Sequence, residues 1–205
     1  MRRGDSDKSA YNRWLVHDAS DVDLVQRIAT GERRAFETLY RSYFVRLDRF
    51  LHRVLRRSPA VEEVINDTMY VVWNKARDFS GESKVSTWIF GIAYRKALKA
   101  LARSDEPAEF DAERVPAEGG GGERALLQTE WRAVLERALA QLTPEHRAVV
   151  ELTYFHDCPY REIATILDCP VDTVKTRMFY ARRRLRDLLN SQKKDLPWVD
   201  ESSIS

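Results

Sequence analysis

Residues 160–186, YREIATILDCPVDTVKTRMFYARRRLR, read as two helices joined by a tight turn. The first carries apolar side chains at Ile163, Ala164, Ile166 and Leu167. Cys169-Pro170 ends it, because proline has no N–H to donate and restricts the backbone of the residue before it. Asp172 or Thr173 is the expected source of an oxygen for the start of the next helix. In that helix Val174, Met178, Ala181, Leu185 and Leu188 recur at steps of three and four, which predicts one buried stripe.

The other face of this second helix carries the functional signal. At about 100° per residue, Asp172, Thr176, Phe179, Tyr180, Arg183 and Arg186 point away from the stripe, flanked by Lys175 and Arg182. Arginine and lysine bind phosphate, while threonine, arginine and aromatic edges meet bases or the thymine methyl. A solvated arginine-rich surface helix would carry similar charges. It does not account for the turn, the stripe and two aromatics off the core side together, whereas a helix-turn-helix that sets its second helix in the major groove does.

Composition narrows the class. The chain has 205 residues, room for one or two domains, and a net charge of only +2, so any nucleic-acid surface must come from segregated charge. Little Val/Ile alternation predicts an all-α protein. Cys158 and Cys169 flank a helix spanning roughly 13 Å, too far for a disulfide, and fit a reducing compartment. With His156 they make only a weak zinc signal. No P-loop, GxGxxG or GxSxG occurs, and the histidines at 17, 52, 146 and 156 form no cluster. The expectation is no enzyme, no cofactor and no metal. No apolar run or secretory leader is visible, so a cytoplasmic chain without membrane insertion is expected.

Toward the N-terminus, residues 1–20 read as a flexible extension. A short helix from Asp21 buries Leu24, Val25 and Ile28 and stops at Gly31. A long one follows, with Ala35, Phe36, Leu39, Tyr40, Tyr43, Phe44, Leu47, Phe50, Leu51, Val54 and Leu55 inward, ended by Arg56-Arg57-Ser58-Pro59. A third, about 60–78, leaves Glu62, Glu63, Asn66, Asp67 and Trp73 outside its stripe. That face is either a solvated acidic surface or a protein-docking one. After the loop FSGESK, a fourth helix, about 86–103, buries Phe90, Tyr94, Ala97, Leu98 and Leu101. Its opposite side carries Trp88, Ile92, Arg95, Lys96, Lys99 and Arg103 without a single acid, which suits a nucleic-acid backbone beside an unstacked base, or a bundle helix with Trp88 in the core.

Residues 104–124, SDEPAEFDAERVPAEGGGGER, are too acidic and too rich in Gly and Pro to bury a core and read as a flexible linker. They separate a helical domain at 21–103 from a second at 125–190, with a tail at 191–205. The second domain starts with a helix near 125–142, with Leu126, Trp131, Val134, Leu135, Ala138 and Leu139 inward. It restarts at Thr143-Pro144, an N-cap followed by proline, and ends in the helix-turn-helix.

Two blocks resemble bacterial RNA polymerase sigma factors of the extracytoplasmic-function (ECF) group. One is AVEEVINDTMYVVWNKARDFSGESKVSTWIFGIAYRKALKALAR; the other is LTPEHRAVVELTYFHDCPYREIATILDCPVDTVKTRMFYARRRLRDLL. The first is similar to the family's acidic helix, F-x-G-x-S loop and S-T-W helix. The second is similar to its L-P-x-x-x-R, Y-x-E-I-A and T-V-K-S-R signature. The resemblance spans about residues 21–190.

It implies a region 2-like domain that binds core RNA polymerase through Glu62, Glu63, Asp67 and Trp73. That domain would melt and read the minus-10 element through Ser80, Ser83, Lys84, Trp88, Arg95 and Lys99. It implies a region 4-like domain that reads the minus-35 element through Lys175, Thr176, Arg177, Phe179, Tyr180, Arg182 and Arg183. Expected partners are the beta-prime and beta subunits of core polymerase, promoter DNA and an anti-sigma factor. Gly91, Arg95 and Tyr180 depart from the family pattern, where a long side chain, an asparagine and an arginine or histidine are usual. The alternative is a free-standing helix-turn-helix regulator acting without polymerase.

Overall fold

The structure is a computed structural model and describes residues 20–56, 58–103 and 133–193. Among the described residues, eight α-helices and one 3₁₀ turn make up the regular structure, and no strand occurs. The extension before residue 20, the 104–124 linker, Leu126, Trp131 and most of the tail lie outside the described residues.

Helix α1 covers 20–29 and buries Val25 and Ile28. It ends at Gly31, whose φ of +90° suits glycine, and the buried Asp21 accepts a 2.6 Å hydrogen bond from Tyr43 Oη. Helix α2 (Arg33–Leu55) buries Leu39, Tyr43, Leu47, Phe50, Leu51 and Val54, the stripe its spacing predicts. It stops where Arg56 turns left-handed and donates its N–H to His52 O. Ser58 and Pro59 do more than end α2: they open α3 (Ser58–Lys75), where proline's missing N–H costs nothing. The last predicted turn of α3 is a separate 3₁₀ turn, Ala76–Asp78. Helix α4 is Val85–Arg103.

In the second half come α5 (133–140), α6 (Pro144–Tyr154), α7 (Tyr160–Leu167) and α8 (Val171–Lys193). Thr143 caps α6, its Oγ1 accepting from the His146 N–H, with proline at the first position. The expected caps of α8 are corrected. The helix begins at Val171, so Asp172 and Thr173 lie inside its first turn. The Asp172 carboxylate binds Lys175 and sits where the helix dipole favours an anion.

The two halves do not stand apart. Helix α6 packs on α2 and α7 packs on α4, and one continuous apolar core runs from Leu24 to Ala181. Ile92, expected on the outer side of α4, is buried at 6% exposure for this reason. Periodicity reports which face is apolar, and here a helix from far along the chain covers the other face as well.

Candidate nucleic-acid interface

Helix α8 buries Val174, Met178, Ala181 and Leu188 against the rest of its half. That burial fixes the opposite face. Phe179 and Tyr180 are exposed at 63% and 51%, their rings edge-to-face at 5.5 Å, and Thr176, Arg183 and Arg186 are exposed beside them. Phe179, Lys175, Met178, Arg182, Arg183 and Tyr160 line an open groove of about 600 Å³.

Local hydrogen bonds set what each residue can offer. Thr176 Oγ1 donates to Asp172 O at 2.9 Å, so its methyl and an acceptor lone pair remain. Lys175 Nζ sits 2.9 Å from Asp172 Oδ1, and this bond holds the Asp172 carboxyl below its usual range. Arg182 Nε donates to Tyr154 Oη at 3.0 Å. Arg177 differs from the rest: it is half-buried, with Nη1 3.7 Å from Cys169 Sγ, and stands off the outward face.

The minus-10 candidates lie on the loop before α4 and along α4 itself, which packs against α7. Ser80, Arg95 and Lys99 are exposed; the last two lie one turn apart on α4. Ser83 is half-buried. Trp88 is half-buried, its ring 5.1 Å from that of Phe79. Lys84 is ion-paired with Glu162 of α7, and Lys96 turns to Asp67 at 2.9 Å.

On α3, Glu62, Glu63, Asn66 and Asp67 are exposed, while Trp73 is half-buried and edge-on to Phe36 at 5.2 Å. Tyr70, exposed at 69%, joins this acidic face and was missed. The signal was available: it lies three residues after Asp67 and seven after Glu63, the helical spacing of one face.

Between the halves sits a polar layer. Arg147, only 4% exposed, donates through Nη1 to the carbonyls of Arg53 (2.7 Å) and Val54 (3.1 Å), and through Nη2 to Leu142 O (2.7 Å). It thus caps the negative end of α2. Burial lowers its pKa to about 10, leaving it charged at neutral pH. Arg53 bridges Glu151 (3.0 Å) and Glu136 (3.2 Å) and lies 3.9 Å over the Phe155 ring. His156 is buried edge-on to Phe90 and Phe50, its Nε2 3.7 Å from Glu151 and without a hydrogen-bond partner. Cys158 is buried as a free thiol, which pushes its pKa up to about 12; Cys169 is free as well.

No helix among the described residues is long and apolar enough to cross a membrane. Comparison with known proteins gives a consistent set of matches. Residues 39–106 match the family model "Sigma-70 region 2", and residues 132–185 match "Sigma-70, region 4". The chain is similar to the "RNA polymerase sigma-H factor" of Pseudomonas aeruginosa, at 30% identity over 83% of this chain and 94% of that one. It is similar to the "ECF RNA polymerase sigma-E factor" of Escherichia coli at 29% identity, over 83% and 95% of the two chains.

Among solved structures, CnrH in complex with the cytosolic domain of CnrY aligns with a TM-score of 0.63 at 25% identity, covering 83% of this chain and 97% of that one. The sigma factor RpoE of Bartonella quintana, solved with the anti-sigma factor NepR, shares the fold at a TM-score of 0.62 and 22% identity, over 76% and 96%. The chain belongs to the RNA polymerase sigma factors of the ECF group.

Proposed function

We propose that this sigma factor divides its work among three surfaces. As a member of its family it directs promoter-specific transcription by RNA polymerase. The observation that carries the residue assignment is the face of α8, where Phe179 and Tyr180 stand exposed among Thr176, Lys175, Arg182 and Arg183. Exposed aromatics cost hydration free energy unless a partner covers them, and cations around them suit a phosphate backbone. This face reads the minus-35 element. Arg177 supports it from the inner flank.

The loop and the outer side of α4, with Ser80, Ser83, Lys84, Trp88, Arg95 and Lys99, take the minus-10 strand. The acidic face of α3, with Glu62, Glu63, Asp67 and Trp73, and with Tyr70 added, docks on core polymerase. The chain works in the cytoplasm, where polymerase is, and is a regulatory subunit without a reaction of its own. An anti-sigma factor holds it in check, as the names of its structural relatives' complexes suggest. The domain limits 21–103 and 125–190, joined by the acidic linker, carry this division of labour. A free-standing helix-turn-helix regulator is not favoured, because it leaves the N-terminal half without a role.

Run-off transcription tests the reading. Core polymerase plus this chain should start at discrete sites sharing two sequence elements. Initiation at the same sites by core polymerase alone would overturn it.

A further inference from the structure

Tyr154 ends α6, outside the helix-turn-helix, yet it reaches the face that α8 presents. Helix α6 packs along α8, and Arg182, which lines the groove beside Phe179 and Lys175, donates its Nε–H to Tyr154 Oη at 3.0 Å. Tyr160, the first residue of α7, lines the same groove. The end of α6 and the start of α7 therefore border the groove on the flank of α8 that carries Arg182.

Tyr154 is 54% exposed, although Ala148, Val149, Val150 and Leu152 of the same helix are buried. Its neighbour Phe155 is exposed too, but Arg53 covers that ring at 3.9 Å. Over Tyr154 the Arg182 guanidinium stands back at 5.7 Å from the ring centre and is engaged at the hydroxyl. A hydrogen bond in the open competes with water and adds little to folding, so stability alone does not account for the pair.

A phenol hydroxyl both accepts and donates. Arg182 takes the acceptor side of Tyr154 Oη, and among the described residues the O–H itself meets no acceptor. Its proton is turned away from the guanidinium, and the cation beside the oxygen strengthens it as a donor. A helix seated in the major groove has a sugar–phosphate strand along each flank, and tyrosine hydroxyls are among the side chains that bind phosphate oxygens.

We infer that Tyr154 is a further DNA contact of the minus-35 surface: its hydroxyl, held by Arg182, donates to one phosphate oxygen of the strand flanking α8. The inference rests on the minus-35 assignment above and extends that surface from the helix-turn-helix onto α6. The contact adds affinity and fixes register without reading a base. A neutral side chain displaces no counterion, so this contribution does not change with salt as that of Arg183 does.

The test uses holoenzyme assembled from core polymerase and the full chain, with promoter DNA found by run-off mapping. Tyr154→Phe removes the hydroxyl and keeps the ring. It should weaken binding to every minus-35 sequence alike by about three- to tenfold, with the log–log salt slope and the melting temperature unchanged. Each minus-35 phosphate is then replaced in turn by a methylphosphonate, which is neutral and a far weaker acceptor. At one phosphate the replacement should weaken wild type and leave Tyr154→Phe unaffected, because both changes remove the same bond.

Equal affinity of wild type and Tyr154→Phe would overturn the inference, as would weakening that couples to no phosphate. A change in base preference would make Tyr154 a base contact and overturn it as well. Loss of affinity for core polymerase in place of DNA would assign Tyr154 to the polymerase surface instead. If the wild-type holoenzyme prefers no minus-35 sequence, the promoter-reading assignment falls and this contact falls with it. If it does prefer one while Tyr154→Phe behaves as wild type, only the contact falls.

Discussion

Arg182 and Tyr154 are joined across the helix-turn-helix half: Arg182 Nε donates to Tyr154 Oη at 3.0 Å, with the guanidinium 5.7 Å from the ring centre. Arg182 and its neighbour Arg183 are both exposed, but Arg182 is partly committed to its own fold. Arg183→Ala should weaken holoenzyme binding to every minus-35 sequence and reduce the log–log salt slope by about one unit. Arg182→Ala should show less of this and some loss of stability.

Phe179 and Tyr180 should behave differently from the arginines. Their rings brace each other at 5.5 Å and stand at the middle of the face. Replacing either by alanine should cost roughly 1–3 kcal/mol at the base it meets and relax preference there. Binding to a panel of minus-35 variants at two salt concentrations separates the two classes. A loss of preference in Arg183→Ala, with uniform weakening in Phe179→Ala, would invert the assignment.

Arg147 should be the most sensitive single position between the halves. It serves three backbone carbonyls, and burial leaves them no water in its place. Arg147→Ala should lose roughly 2–4 kcal/mol in urea denaturation. A loss below about half a kcal/mol, the range of ordinary surface changes, would show that the fork is incidental.

His156 and Glu151 should pull stability in opposite directions with pH. Burial, then Arg46, Arg53 and Arg49, lower the His156 pKa from 6.5 to about 4. Burial raises Glu151 from 4.5 to about 7, opposed by Arg53 and Arg49 and aided by Glu136. The unfolded chain protonates its histidine first, so the stability tied to His156 is lost as pH falls from 6.5 toward 4. The stability tied to Glu151 is present below 4.5 and lost as pH rises through about 7. His156→Leu removes only the first effect. Its stability relative to wild type should therefore rise by roughly 1–3 kcal/mol between about pH 7 and pH 4. A difference that stays constant with pH would show that His156 does not titrate in this way.

On α3, Glu62→Lys with Glu63→Lys should reduce affinity for core polymerase by roughly ten- to a hundredfold and leave the melting temperature nearly unchanged. Both side chains are exposed, so a large drop in melting temperature would mark them as structural. Tyr70→Ala should cost affinity in the same competition assay, as exposed aromatics at interface centres do.

Much of this was legible in the residues. Leu39, Tyr43, Leu47, Phe50 and Val54 announce α2 by spacing alone, and the stripe of α8 dictates which of its residues face outward. What the spacing did not give was the partner of each face. Ile92 and Thr87 are buried by α7, dozens of residues further on, and no local period encodes that crossing. Trp73 and Trp88 read as outlying and are half-buried, because a ring that large reaches the core from a flanking position, on Phe36 and Phe79 respectively. Arg177, named by the resemblance alone, lies about 60° from Val174 around the helix, beside the buried stripe, and its half-burial against Cys169 follows that angle. Glu162 is an acid in the first turn of α7, and its partner Lys84 comes from a loop far back in the chain, which no local pattern signals.

The contacts that join the halves differ in how they would fare under sequence drift. Arg147 grips the main-chain oxygens of Arg53 and Val54, which any amino acid at those two positions would present. Mutation at 53 or 54 leaves that acceptor pair in place, so the relative placement of the halves is inherited through the backbone. Lys84 and Glu162 meet through side chains, and one codon change at either ends their pairing. Descendants of this sequence can therefore vary how firmly α7 is held on α4 while keeping where it sits. The strength of that contact is open to selection at two codons, while the carbonyls that Arg147 holds are insulated from them.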